Sequence, residues 1–173
     1  SRKAYALEMG RLFAPLTQVA AANPYSAAAV SVMTAEEIAT PGEHNRMIAA
    51  PYPLKLVSRD QVNQAAAVLV MSVRAAREAG VPKEKWVFLH GAAIASEREL
   101  LDRPDIGGYP AAQAAIASAL ATAGKGAADM SAFDFYSCFP IPVFNAAIDG
   151  LGLSVDDPRG LTVTGGLPYF GGA

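Results

Sequence analysis

Three short stretches hold residue types that could do chemistry. The first is Tyr136-Ser137-Cys138-Phe139-Pro140, where an apolar β-rich run meets a proline-initiated helix. Backbone amides at a helix start favour negative charge, and a thiol placed there is acidified. Two readings fit Cys138: a member of an active-site elbow, or a small packing residue, as most free cysteines are. A serine-hydrolase elbow is excluded because G-x-S-x-G is absent around Ser137. The second stretch runs from Gly165-Gly166 to Gly171-Gly172, four glycines in eight residues. Such density means tight turns and close backbone approach, either to a ligand or to another loop. It matches neither the phosphate-binding G-K-S/T pattern nor G-x-G-x-x-G. The third stretch, rich in proline, carries Arg46 and Lys55, which either meet an anionic ligand or lie solvated on the surface.

The remaining titratable residues suggest less. His44 and His90 are the only histidines, and Cys138 is the only cysteine. A zinc site needs more ligands at short spacing, and one cysteine leaves neither a disulfide nor a multi-cysteine metal site. No metal is expected. Glu36–Glu37 and Asp156–Asp157 read as cap and turn residues.

The elements that must position these stretches follow from periodicity. Leu7, Leu12, Phe13, Leu16 and Val19 recur at helical steps. Pro15 should kink or split that helix, and Asn23-Pro24 should close it. Thr34-Ala35-Glu36-Glu37 fits a capping box, opening a short helix that Pro41 ends. The segment from Pro41 to Asp60 reads as irregular. Beyond it, Ala65–Met71 is a continuous apolar run suited to a strand buried on both faces. A helix over Val73–Ala79, with Gly80 as its left-handed cap, precedes a strand at Trp86–Leu89. A helix over Tyr109–Ala123, ended by Gly124, precedes a strand at Ala132–Ser137. A proline-opened helix over Pro140–Asp149 leads to a fourth strand at Leu161–Thr164. Alternation of this kind predicts an α/β fold with βαβ units, a mostly parallel sheet and an irregular helical lid. In such sheets chemistry gathers at the strands' carboxyl ends, here His90–Gly91, Tyr136–Cys138 and Gly165–Gly166.

Composition removes several function classes. The 173-residue chain has net charge −2 and no clustered basic face, which argues against nucleic acid. No apolar stretch reaches the roughly 18 residues of a membrane span. No apolar h-region follows the first basic residues, so the cytoplasm is the simplest compartment. The chain opens without Met and stops inside a glycine-rich motif. Both ends are therefore read as internal to a longer protein.

An ordered set of motifs resembles the thiolase superfamily, in its branch of acetyl-CoA acetyltransferase-like and lipid-transfer-protein thiolases. The set is Asn23-Pro24-Tyr25, Thr34 to Pro41, Asn45 to Ala49, Asn63 to Ser72, Phe135 to Pro140 and Thr162 to Gly166. The resemblance covers nearly the whole chain. It implies two similar βαβαβαββ halves, with residues 1–60 as the lid of the first half. Residues 61–85 would be that half's last strand and helix, and 86–173 the start of the second. It further implies a dimeric enzyme of lipid metabolism, with a coenzyme A thioester as substrate and no permanently bound cofactor. The nucleophilic cysteine is expected before Ser1 and the second catalytic cysteine after Ala173.

Two of the family's catalytic positions fall inside the chain. The Asn of its N-E-A-F motif, His in the H-D-C-F variant, matches Tyr136, which could still donate to an oxyanion hole. With a pKa of about 10, Tyr is a poor base. The His of the G-H-P motif, which activates the nucleophile, matches Gly172, where no side chain remains. Cys138 matches the non-nucleophilic Cys of H-D-C-F. The family's CoA-contacting Ser falls two positions from Ser58, and Gly165 and Gly166 are the other expected contacts to CoA. Three functions are compatible with these departures. The first is acyl transfer by Claisen condensation or thiolysis. The second is retro-aldol cleavage of a β-hydroxyacyl-CoA with Tyr136 as the acid/base. The third is a catalytically silent subunit that binds an acyl-CoA or a small partner protein.

Overall fold

The computed structural model describes residues 1–27 and 30–172. Helix α1 (Arg2–Ala22) forms the spine of the core. Met9, Leu12, Phe13, Leu16 and Ala20 lie on one face and are buried. Pro15 sits inside α1 without splitting it. Its ring points to the exposed side, so the buried stripe continues past the missing N–H. Helix α2 (Ala35–Ala39) starts with the expected capping box, Thr34 and Glu37 each bonding the other's backbone. It packs Ile38 into the face of α1.

The segment after α2, expected to be irregular, is organised around one side chain. Asn45 is buried and its amide donates to the carbonyls of Ile38 and Thr40, both at 2.9 Å. Its carbonyl oxygen accepts from the Lys55 backbone N–H at 2.9 Å. A short antiparallel hairpin, β1 (Met47–Ala49) and β2 (Tyr52–Pro53), closes between these anchor points. Replacing Asn45 by Ala strands two carbonyls and an amide. The expected loss in the complete protein is about 2–4 kcal/mol, the scale of leaving buried polar groups unsatisfied. Urea unfolding measures it, and a loss below about 0.5 kcal/mol would show that the side chain does not hold this segment.

Helix α3 (Val73–Glu78) is capped by the Ser72 hydroxyl, and Gly80 follows at φ 65. Helix α4 (Pro110–Ala123) opens on proline and ends at Gly124 in the left-handed region. Helix α5 (Pro140–Val143) begins at the expected proline and continues as a π-helix over Phe144–Gly150. The wider winding lies against α4.

The four expected strands are not paired into a sheet among the described residues, where β1 and β2 form the only ladder. Val68 and Val70 in the first run are 88% and 93% exposed. An apolar strand meant for two-sided burial gains nothing without neighbours on each edge, because its amides and carbonyls need partners. Part of the strand character persists locally. From Ala132 to Ser137 burial alternates residue by residue, with Phe133, Phe135 and Ser137 turned inward and Asp134 and Tyr136 outward. Phe135 N–H donates to the Leu161 carbonyl at 3.3 Å, joining two of the expected strand segments. Phe133 stacks on Phe135 with centroids 5.5 Å apart.

Arg159 fastens the loop beyond the π-helix. It forms a two-point ion pair with Asp157, donates to the Ala127 and Met130 carbonyls, and lies over the Phe133 ring at 4.7 Å. Hydrogen bonds from Arg159 hold the Asp157 carboxyl at about 2, below its usual value.

Candidate functional site

Three distant segments meet at one backbone junction. Ser58 N–H donates to the Cys138 carbonyl at 2.9 Å, and Arg59 N–H donates to the Leu167 carbonyl at 3.1 Å. Gly172 N–H returns a bond to the Arg59 carbonyl at 3.1 Å. The backbone at Ser58 and Arg59 is thereby clamped to the Tyr136–Cys138 elbow and to the glycine-rich loop. The elbow and the loop are also tied directly, since the buried Ser137 hydroxyl accepts from Leu167 N–H at 2.9 Å.

That junction needs two of its glycines. A Cβ at Gly166, which has φ +74, would lie 2.8 Å from Leu16 Cδ2 and 2.9 Å from Ser137 Oγ. One at Gly165, with φ +112, would overlap the backbone and Cβ of Ala20 in α1. Close approach to α1 and the elbow therefore accounts for this pair.

The loop from Leu167 to Phe170 divides two hollows. On one side, Pro168 and Tyr169 wall a cleft of about 540 Å³ that also holds Arg46, Lys55, Ser58 and Arg59. Tyr169 is buried, meets Phe13 edge-on with centroids 6.3 Å apart, and donates its hydroxyl to the Lys55 carbonyl at 2.9 Å. Three cations and the Ser31 and Ser58 hydroxyls thus line the cleft, opposed by Asp60. On the other side, Leu167 and Phe170 wall a depression of about 370 Å³ that holds Asp134, Tyr136 and Thr164.

Tyr136 is 64% exposed, and its side chain opens onto this depression. The neighbouring Cys138 thiol, with slight desolvation, raises the phenol above its ordinary pKa. The hydroxyl therefore stays protonated at neutral pH and is a donor rather than a base. Cys138 is half-buried beside it. Asp134 is fixed by the Thr162–Thr164 segment. Its Oδ1 accepts from the hydroxyls of Thr162 at 2.7 Å and Thr164 at 3.2 Å and from Val163 N–H at 3.3 Å. On the elbow's other flank, Phe139 packs on Tyr52 at 5.4 Å, and the Tyr52 and Tyr5 hydroxyls share a 2.9 Å hydrogen bond.

The expected site residues thus divide between two neighbouring hollows. Ser58 lines the cleft, Tyr136 and Gly166 line the depression, and Gly165 lies against α1. Gly172 stands at the junction with φ +145, and a Cβ there would reach 2.6 Å from Leu167 Cδ2. The sequence reading missed Asp134 and the organising role of Asn45. Asp134 had a signal, because it lies two residues before Tyr136 and hence on the same side of an alternating run. His44 and His90 are exposed and line neither hollow. Among the described residues no group of three or more His, Cys, Asp or Glu stands ready to hold a metal, and no helix is long and apolar enough to cross a membrane.

No protein-family model matches the chain, and no curated protein does. Among solved structures, the chain matches a monomeric SCP2-thiolase-like protein type 1 from Mycobacterium smegmatis with 56% identity and a TM-score of 0.92. The match covers 99% of this chain. The chain belongs to the thiolase superfamily, in its lipid-transfer-protein thiolase branch. It spans 37% of the length of that relative. The description of that protein as monomeric sets it apart from the dimer expected for this chain.

Proposed function

We propose that the protein acts on acyl-CoA thioesters as a thiolase-like acyltransferase, making or breaking the carbon–carbon bond beside the thioester carbonyl. The observation that carries this reading is the paired hollows on either side of the Leu167–Phe170 loop. Arg46, Lys55 and Arg59 supply positive charge for the nucleotide phosphates of CoA, and Ser58 supplies a hydroxyl to the pantetheine arm. Across the loop, the Tyr136 hydroxyl supplies a hydrogen bond to the carbonyl oxygen as negative charge develops there. The chain's part in this site is to bind the thioester and stabilise its enolate.

A second reading, retro-aldol cleavage of a β-hydroxyacyl-CoA, is favoured by Gly172. The position that carries a nucleophile-activating His in the resembled family has no side chain here, and aldol cleavage needs no acyl-cysteine. The two reactions separate cleanly in one experiment on the complete protein. Acetoacetyl-CoA with free CoA reports thiolysis, while 3-hydroxybutyryl-CoA alone reports aldol cleavage by release of acetaldehyde and acetyl-CoA. The acyltransferase reading predicts thiolysis faster than cleavage of the hydroxy substrate, and the Gly172-based second reading predicts the reverse. Faster thiolysis would return the protein to ordinary acyl transfer. Turnover of neither substrate, together with no binding of CoA, would end the acyl-CoA reading.

A further inference from the structure

Asp134 belongs to the same depression as Tyr136, yet neither its carboxylate nor its threonine clasp has a role in the function proposed so far. Its two oxygens are not equivalent. Oδ1 accepts three hydrogen bonds, from Thr162, Thr164 and Val163, at 2.7 to 3.3 Å. Oδ2 has only a 3.5 Å contact with the Thr164 hydroxyl. The clasp is itself well supported. Thr162 is buried, its hydroxyl oxygen accepts from the Thr164 and Gly165 N–H groups, and the Thr164 carbonyl accepts from Asn23 at the end of α1. Three donors that hold one oxygen fix the orientation of the whole carboxylate. They leave the second oxygen with lone pairs to spare in a hollow that Tyr136 also lines.

This arrangement supplies what Tyr136 does not. A phenol that keeps its proton can donate to an oxyanion but cannot take a proton from a substrate, and aldol cleavage needs a proton acceptor at the β-hydroxyl. We propose that Asp134 is the base of the Tyr136 depression, a second catalytic residue whose free Oδ2 moves the substrate proton. The inference rests on the aldol-cleavage reading above.

The step balances without any further reactant. Asp134 Oδ2 takes the β-hydroxyl proton, and the β-oxygen's electron pair becomes the new carbonyl. The Cα–Cβ bond breaks, and its electron pair enters the thioester as an enolate whose oxygen accepts from Tyr136 Oη. Asp134, now a carboxylic acid, returns the proton to Cα. The products are an aldehyde or ketone and the shortened acyl-CoA. Nothing is oxidised or reduced, and the carboxylate is regenerated.

The test uses Asp134→Asn in the complete protein with 3-hydroxybutyryl-CoA. Asn keeps the shape and the oxygen that Thr162 and Thr164 clasp but has no carboxylate to take a proton. The expected result is a fall in kcat of about 100-fold or more, the scale of losing a general base. KM should stay within about threefold and the melting temperature should be unchanged within a few degrees. Asp134→Glu should recover part of the rate, because the carboxylate returns with a displaced oxygen. If the Asn variant keeps the wild-type kcat while Tyr136→Phe loses it, the base assignment is overturned and the aldol-cleavage reading survives. A lower melting temperature in Asp134→Asn with kcat retained in the folded fraction would make Asp134 a structural clasp and likewise overturn the assignment. If both variants keep full activity, the base assignment is overturned while aldol cleavage stands, and if the wild type cleaves no 3-hydroxyacyl thioester the underlying reading fails as well.

Discussion

Tyr136→Phe in the complete protein is expected to lower kcat by about two orders of magnitude or more, whichever of the two carbon–carbon reactions is assayed. That is the scale of losing an oxyanion donor. The substitution removes one oxygen from a residue that is 64% exposed and leaves its ring against the same neighbours. Stability should therefore change by no more than about 1 kcal/mol, the usual net worth of one hydrogen bond. The contrast is informative because the two readouts belong to different roles. A phenol that only packs would move stability and leave the rate alone. A phenol aimed at a developing oxyanion moves the rate and leaves stability alone. Because the Cys138 thiol raises the phenol above its ordinary pKa, the rate should show no alkaline fall from Tyr136 short of the ordinary tyrosine range. Cys138→Ala frees the phenol from that thiol and would bring any such fall to lower pH. Steady-state kinetics of the Phe variant settles the point, and wild-type kcat would end the catalytic reading of this residue.

The second large effect concerns the cleft. Replacing Arg46, Lys55 and Arg59 together by Ala is expected to weaken CoA binding by about 100-fold or more. Charge-assisted hydrogen bonds of this kind are worth about 1.5–3 kcal/mol each, and about 1.4 kcal/mol is a factor of ten. Much of the wild-type affinity should also disappear on raising the salt, because exposed cations meeting phosphates are screened. The triple variant should lose most of that salt dependence. Calorimetric titration with CoA at two ionic strengths measures both. Equal affinity in the wild type and the triple variant would remove the nucleotide end of CoA from this cleft. Lys55 carries a further structural burden through its backbone, which bonds Asn45 and Tyr169. Substituting its side chain leaves those backbone bonds in place.

Local chemistry was the most legible part of the sequence. The capping box at Thr34–Glu37, the left-handed glycines at 80 and 124 and the proline opening of α5 depend on neighbours within a few residues, and each lies where its motif put it. Pro15 shows the limit of such rules, since the buried face of α1 carries the helix through a residue that usually breaks one. Strand pairing was not legible, because a ladder depends on partners far away in the chain. Ala65–Met71 has the composition of a central strand but lies exposed and unpaired in this structure.

The same distinction applies to the site. Tyr136 and Ser58 could be singled out from short motifs, but the backbone bonds that bring them together join residues some 80 to 110 positions apart, from Ser58 to Cys138 and from Arg59 to Leu167. Gly165 and Gly166 attracted attention as ligand contacts. Their geometry reports close packing on Ala20, Leu16 and Ser137, a requirement that glycine density alone cannot distinguish from ligand approach. Asn45 gave no chemical signal at all. An amide is singled out only when two backbone segments, here the end of α2 and Lys55, are seen to converge on it.

The measurement that tests the central claim most directly is a crystal structure of the complete protein soaked with CoA. The nucleotide phosphates should lie against Arg46, Lys55 and Arg59. The pantetheine arm should pass Ser58, with the sulfur end directed toward the Tyr136 hydroxyl. Coenzyme A bound elsewhere, or bound in the cleft with its sulfur directed away from Tyr136, would contradict it.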